Sequence, residues 1–198
     1  MKNWVTCLLM LFTIACFGQT KSIKVYFLYG SKPAKGYEKK EKKRFGGING
    51  GHVSIGVDKE VIGFGPKGKF HIFPKDKNRH SHFTSESLAS FAKDSVGDKY
   101  TTITIPVTNE QYNKIKAIHK GYCDRAPYDY AFTGMRCAAA SYDVLSQIGV
   151  FKPKSKSWMV NRIFYPRRLR KRMLKMAAEK GYKVQAQPGR KTRKWEKD

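Results

Sequence analysis

Acidic residues are scarce in this chain: 15 Asp and Glu stand against 40 Lys and Arg, a formal net charge of +25. That excess is far beyond what solubility requires, and such a field attracts anionic polymers or membrane surfaces. Nucleic acid is the less favoured polyanion, because the sequence carries neither a zinc-finger cysteine–histidine spacing nor an aromatic RNP box. Cysteine is equally scarce, with four in all, two of them (Cys7 and Cys16) in the first segment. The remaining Cys123 and Cys137 are too few for a disulfide scaffold, although export to an oxidising compartment would allow them to pair. Long apolar runs are also lacking. The longest, Trp4 to Phe17, falls short of the roughly twenty residues that cross a bilayer as a helix.

The first segment instead has the layout of a signal peptide: Lys2, an apolar stretch, then Gly18-Gln19-Thr20 and a polar chain. Two processing routes fit it. Small residues near Gly18 suit ordinary signal peptidase, whereas Thr13-Ile14-Ala15-Cys16 is an imperfect lipobox that would acylate Cys16. Cleavage near Gly18 is the better fit, so residues 1–18 are read as a leader and the protein as exported, periplasmic or secreted. The remaining length, about 180 residues, suits one core and one domain, over 23–187, with a loose basic tail over 188–198.

Along the chain, Ile23–Tyr29 alternates as a strand, and a basic loop, Ser31 to Arg44, leads into the glycine-rich stretch Phe45–Gly51. His52–Val57 and Glu60–Gly65 read as a hairpin turning at Asp58-Lys59, and Phe70–Phe73 as a third strand of the same meander. Residues Pro74 to Phe83 read as a surface loop, Ser85–Lys93 as a short helix and Tyr100–Val107 as a strand. Thr108 with Gln111 forms a capping-box signature for a helix to about Tyr122, and a second helix begins near Arg136 or Cys137 and ends by Gly149. Pro166 opens a third, intensely basic helix to Lys180 whose apolar stripe predicts packing onto the domain with the cations in solvent. Tyr182–Gln187 is read as a last strand, and the fold class is α+β, a small antiparallel sheet packed against helices.

The residues with the most chemistry meet at Cys137. A cysteine opening a helix faces free backbone N–H groups and the positive end of the helix dipole, and Arg136 adds a cation, all of which favour the thiolate. The same amides would suit an oxyanion. Such a nucleophile needs an acid/base partner, and His52, delivered by Gly50-Gly51, is the best-placed histidine. The competing readings are a small buried cysteine among Ala138, Ala139 and Ala140, and a Cys123–Cys137 disulfide. His80, His82 and His119 read as surface residues, with no ligand spacing for a metal.

The segments Gly-Gly-His-Val-Ser-Ile-Gly-Val (50–57) and Tyr-Asp-Tyr-Ala-Phe-Thr-Gly-Met-Arg-Cys-Ala-Ala-Ala-Ser-Tyr-Asp-Val-Leu (128–145) resemble circularly permuted papain-like enzymes of the NlpC type, including the lecithin:retinol acyltransferase-like group. The resemblance covers roughly residues 45–150. It implies a permuted papain-like fold, Cys137 as nucleophile, His52 as base, and Tyr128 or Tyr130 with Arg136 lining the substrate site. It also implies a third polar residue, for which His71 is the first candidate and Asp129 the second. The activity implied is hydrolysis or acyl transfer at an amide or ester, a cell-wall peptide foremost, with no cofactor and no metal. With the peptidoglycan fragment that the resemblance implies, the net charge adds an anionic envelope polymer as an expected partner, and the basic third helix a peripheral membrane contact as a further option. The alternative is a non-catalytic cationic module that binds the envelope.

Overall fold

The computed structural model describes residues 21–68, 70–75 and 81–197. The leader expectation, Cys16 and His80 lie outside these residues. The chain runs β1 (Lys21–Leu28), β2 (Ser31–Pro33), β3 (His52–Val57), β4 (Glu60–Pro66), β5 (Ser81–Ser87), α1 (Leu88–Asp94), β6 (Tyr100–Val107), α2 (Asn109–Asp124), α3 (Cys137–Gln147), α4 (Lys156–Arg162), α5 (Pro166–Lys180), β7 (Lys183–Gln187) and β8 (Arg193–Trp195). The fold is α+β. Six strands form an antiparallel sheet in the order β5-β4-β3-β1-β6-β7, and β2 pairs with β8 in a separate ribbon.

Alternation along the strands splits the sheet into two faces. Ile23, Val25 and Phe27 of β1, Val53 and Ile55 of β3, and Ile103 and Ile105 of β6 form one buried face, covered by Tyr112 and Ile115 of α2, Ala138–Ala140, Val144 and Leu145 of α3, and Leu169, Met173 and Ala177 of α5. Tyr26, Leu28 and Val61 point the other way and pack on Phe91 of α1. By the same alternation His52, Ser54 and Gly56 belong to the α1 side of β3.

The helices start where local chemistry starts them. Thr108 accepts from Gln111 N–H at 3.2 Å while Gln111 Oε1 accepts from Thr108 N–H at 3.0 Å, the reciprocal cap of α2. Pro166 occupies the first turn of α5, whose apolar stripe faces the core, and Gly181 closes it at φ 67.

Several expectations are corrected. Phe70–Phe73 is not a strand; His71 makes one isolated parallel bridge to Ala131, and the third strand of the meander is β5. The polar loop expected there conceals an edge strand in which only Ser81 and Phe83 are buried, so its sequence shows almost no apolar alternation. That strand also takes the first turn of the expected helix, and α1 begins after Ser87, whose Oγ accepts from Ser90 N–H at 3.0 Å. α4, capped by Ser155 at Trp158 N–H, was not foreseen. The tail is not loose: Arg193 is buried, donating to Ser31 Oγ at 2.8 Å and pairing with Glu41, and Glu196 N–H donates to Gly30 C=O at 2.8 Å.

His119 is buried on α2 and not a surface residue, and burial pushes its imidazole down to about 4. The folded chain therefore refuses a proton that the unfolded chain accepts near 6.5, so stability present at neutral pH is lost as pH falls below that value. By that linkage the loss reaches about 3 kcal/mol near pH 4. Urea melts between pH 7 and pH 4 should show a flatter acid limb for His119→Leu than for the parent; identical limbs would mean that the imidazole is not held neutral.

Candidate active site

The site is built where β3 and β4 part. Their ladder ends at the Ser54–Gly63 pair, while β4 continues along β5 as far as Pro66. Val53 thus has an N–H free of the β4 ladder, and it donates to the sulfur of Cys137 at the first turn of α3. His52 comes from the opposite face of the sheet and reaches the same sulfur with a side-chain hydrogen bond. The strand can deliver the ring there because Gly51, at φ +112, turns the chain against Leu28 C=O and Pro166, where an added Cβ would lie 3.0 Å from that oxygen.

α3 has no side-chain cap: Arg136 is at its N-cap without a capping hydrogen bond, and the first helical bond runs from Ala140 N–H to Arg136 C=O. The amides of residues 137–139 consequently lie outside the helical ladder and point toward the cysteine end. Burial alone would push the Cys137 thiol up, but the charge and hydrogen bond of His52, the Val53 N–H and the Arg136 guanidinium outweigh it and hold the thiol below its ordinary value. Burial would likewise press His52 down, yet the neighbouring sulfur and the Glu86 carboxylate raise it. Opposite shifts of this kind favour a thiolate–imidazolium pair over the neutral thiol and imidazole. Cys137 is 3 % exposed, so its sulfur is approached narrowly.

Tyr130 is the upstream tyrosine that meets the cysteine. Burial and the Cys137 charge raise its hydroxyl, which stays a phenol and is hydrogen-bonded to both Cys137 and Arg136. Tyr128, the other candidate, turns away toward Asp143 and packs on Phe64 and Phe83. Arg136 is enclosed by aromatic rings, 4.4 Å from the Phe164 centroid and under 6 Å from those of Phe132 and Tyr165.

The two candidates for a third polar residue are joined to one another. His71 Nδ1 lies 2.9 Å from Asp129 Oδ2, which also accepts from Lys75 N–H at 2.9 Å, while Ser81 Oγ–H donates to Asp129 Oδ1. Ser81 in turn accepts from Tyr130 N–H, so the carboxylate fixes the loop that carries Tyr130. The acid that acts on His52 is Glu86, across a cleft of about 260 Å³ that the ring shares with Ser54, Gly63 and Thr84. Sequence reading missed Glu86 because it lies on the unrecognised edge strand. It also missed Phe45, whose ring stacks on His52 at 6.0 Å and 17°. Cys123, exposed on α2, and Cys137 are both free thiols, and His82 is half-buried, not a surface residue, with Nδ1 sealed from solvent.

Removing Asp129 leaves Lys75 N–H, Ser81 and His71 without their acceptor, an expected cost of about 2–4 kcal/mol. Denaturant melts of Asp129→Ala should show that loss; a change below about 0.5 kcal/mol would show the cluster to be incidental.

Among the described residues no group of three or more His, Cys, Asp or Glu is arranged to hold a metal ion, and no helix is long and apolar enough to cross a membrane. No family model matches the chain, and neither a curated protein nor a solved structure matches it.

Proposed function

We propose that this protein is a cysteine hydrolase or acyltransferase acting on an amide or ester through Cys137 and His52. The observation that carries this reading is the buried sulfur at an uncapped helix start, hydrogen-bonded to an imidazole whose proton affinity rises as the thiol's falls. In the proposed reaction the Cys137 thiolate attacks the carbonyl carbon. The oxyanion is met by the free amides of the first turn of α3 and by the Tyr130 hydroxyl. The His52 imidazolium then gives its proton to the departing amine or alcohol, leaving an acyl-thioester. Water or another acceptor, deprotonated by His52, attacks the thioester, releases the acyl group and restores the thiolate and imidazolium.

We place the enzyme outside the cytoplasm, on the layout of residues 1–18, and take cell-wall peptide amides as the first substrate class, on the permuted papain-like resemblance of residues 45–150 and the net charge of +25. The test is incubation with isolated sacculi: the parent should release new free amino groups that Cys137→Ala does not. A specific observation favours a second reading, a cationic binding module: Cys137 is buried, with only 3 % of the residue exposed. Sacculi bound equally by both proteins and cleaved by neither would select that reading.

A further inference from the structure

Beside the candidate site the molecule exposes apolar side chains that nothing in the catalytic reading uses. Phe70, Ile72, Phe73 and Phe132 are 47, 63, 71 and 47 % exposed. They form one ridge. Phe132 N–H donates to His71 C=O at 2.8 Å and Thr133 N–H to Ile72 C=O at 2.9 Å, locking the two loops together. The rings continue the connection, Phe70 to Phe132 at 6.4 Å, Phe132 to Phe164 at 5.4 Å and Phe164 to Tyr165 at 4.6 Å.

Cations adjoin the ridge along the chain at both ends. Lys67 and Lys75 flank the 70–73 loop, and at the other end α5 follows Tyr165 directly, exposing Arg168, Lys171, Arg172 and Lys175. Among the described residues of 67–75, 129–136 and 164–175 the only carboxylate is Asp129, which is buried against His71. A self-association surface is disfavoured by the net charge of +25, which each copy would bring to the other. A soluble polyanion would use the cations but has no use for Ile72 and Phe73. Aromatic and aliphatic tips backed by a cationic rim suit one occupant, the headgroup and upper acyl region of an anionic bilayer.

We infer that the Phe70–Phe73 and Phe132 ridge, with the exposed cations of α5, docks the protein peripherally on anionic lipid, turning the face that carries Tyr130 and Cys137 toward the membrane. This goes beyond the catalytic reading and is testable without it, in the full chain carrying Cys137→Ala. That protein should co-sediment with phosphatidylcholine vesicles containing about one-third phosphatidylglycerol, and salt should weaken the binding. It should bind pure phosphatidylcholine at least tenfold more weakly, roughly the scale set by loss of the basic residues' attraction. Ile72→Ser with Phe73→Ser should reduce partitioning by about tenfold while leaving the melting transition unchanged, since both side chains are exposed. As a second readout, Phe73→Trp should add a tryptophan emission that shifts to the blue on anionic vesicles and is quenched by brominated acyl chains. The inference is overturned if the parent fails to bind anionic vesicles at low salt or if the serine variant binds as the parent does. It is equally overturned if the new tryptophan stays in water, or if chromatography shows a dimer that the serine variant dissolves.

Discussion

Iodoacetamide is expected to alkylate Cys137 near neutral pH far faster than Cys123, and His52→Ala to slow that reaction by tenfold or more. The argument rests on opposite environments for two thiols in one chain. Burial, Glu60 and Asp124 push Cys123 up, so little thiolate exists there at neutral pH. Cys137 is pulled down against its own burial, chiefly by the charge and hydrogen bond of His52. Its labelling should therefore rise through a value below the ordinary thiol range. The Cys137 charge and the Glu86 carboxylate raise His52 above its ordinary value, which favours the imidazolium that pairs with the sulfur. Above the raised His52 value the imidazolium is lost and the sulfur loses its counter-charge. In the histidine variant burial is no longer opposed by that charge, and the profile should move toward alkaline pH. Peptide mapping after timed alkylation, with Cys123→Ser as the clean background, reads both effects. Equal rates for the two cysteines, each rising only at alkaline pH, would remove the basis for catalysis.

The second large effect is expected at a residue with no side chain. A Cβ on Gly63 would lie 2.8 Å from His52 Nε2 and 3.2 Å from Ser54 Oγ, inside the contact distance of both. Gly63 has an ordinary strand conformation, and Gly63→Ala adds one methyl in an intact β3–β4–β5 ladder. The ring is the part that must give. Gly63→Ala is expected to cost about 1–3 kcal/mol in stability, the overpacking range. It should also lower the neutral-pH labelling rate of Cys137 about as far as His52→Ala does. A folded alanine variant with the parent's rate and pH profile would show that the imidazole is not held over Gly63.

Together these results would separate an activated sulfur from a merely buried one, because both changes act on the imidazole and leave Cys137 in place. Asp129 acts differently. Its loss loosens Tyr130 through Ser81 and should appear first in stability.

The sequence by itself determined what local rules can reach. The α2 capping box, Pro166 and Gly181 at the ends of α5, the hairpin turn at Asp58-Lys59 and the helix that opens at Cys137 are each decided within a few residues, so each was legible. Tertiary structure decided the rest. β5 is held by pairing with β4 and not by its own polar sequence, and with it came Glu86, the acid that faces His52. His71 and Asp129 are 58 positions apart, and only the crossing of their loops joins them into a clamp under Tyr130. Cys137 and His52 begin on opposite faces of the sheet, and their meeting depends on β4 leaving β3 at the Ser54–Gly63 pair, a parting of strands that no residue pattern along either one encodes.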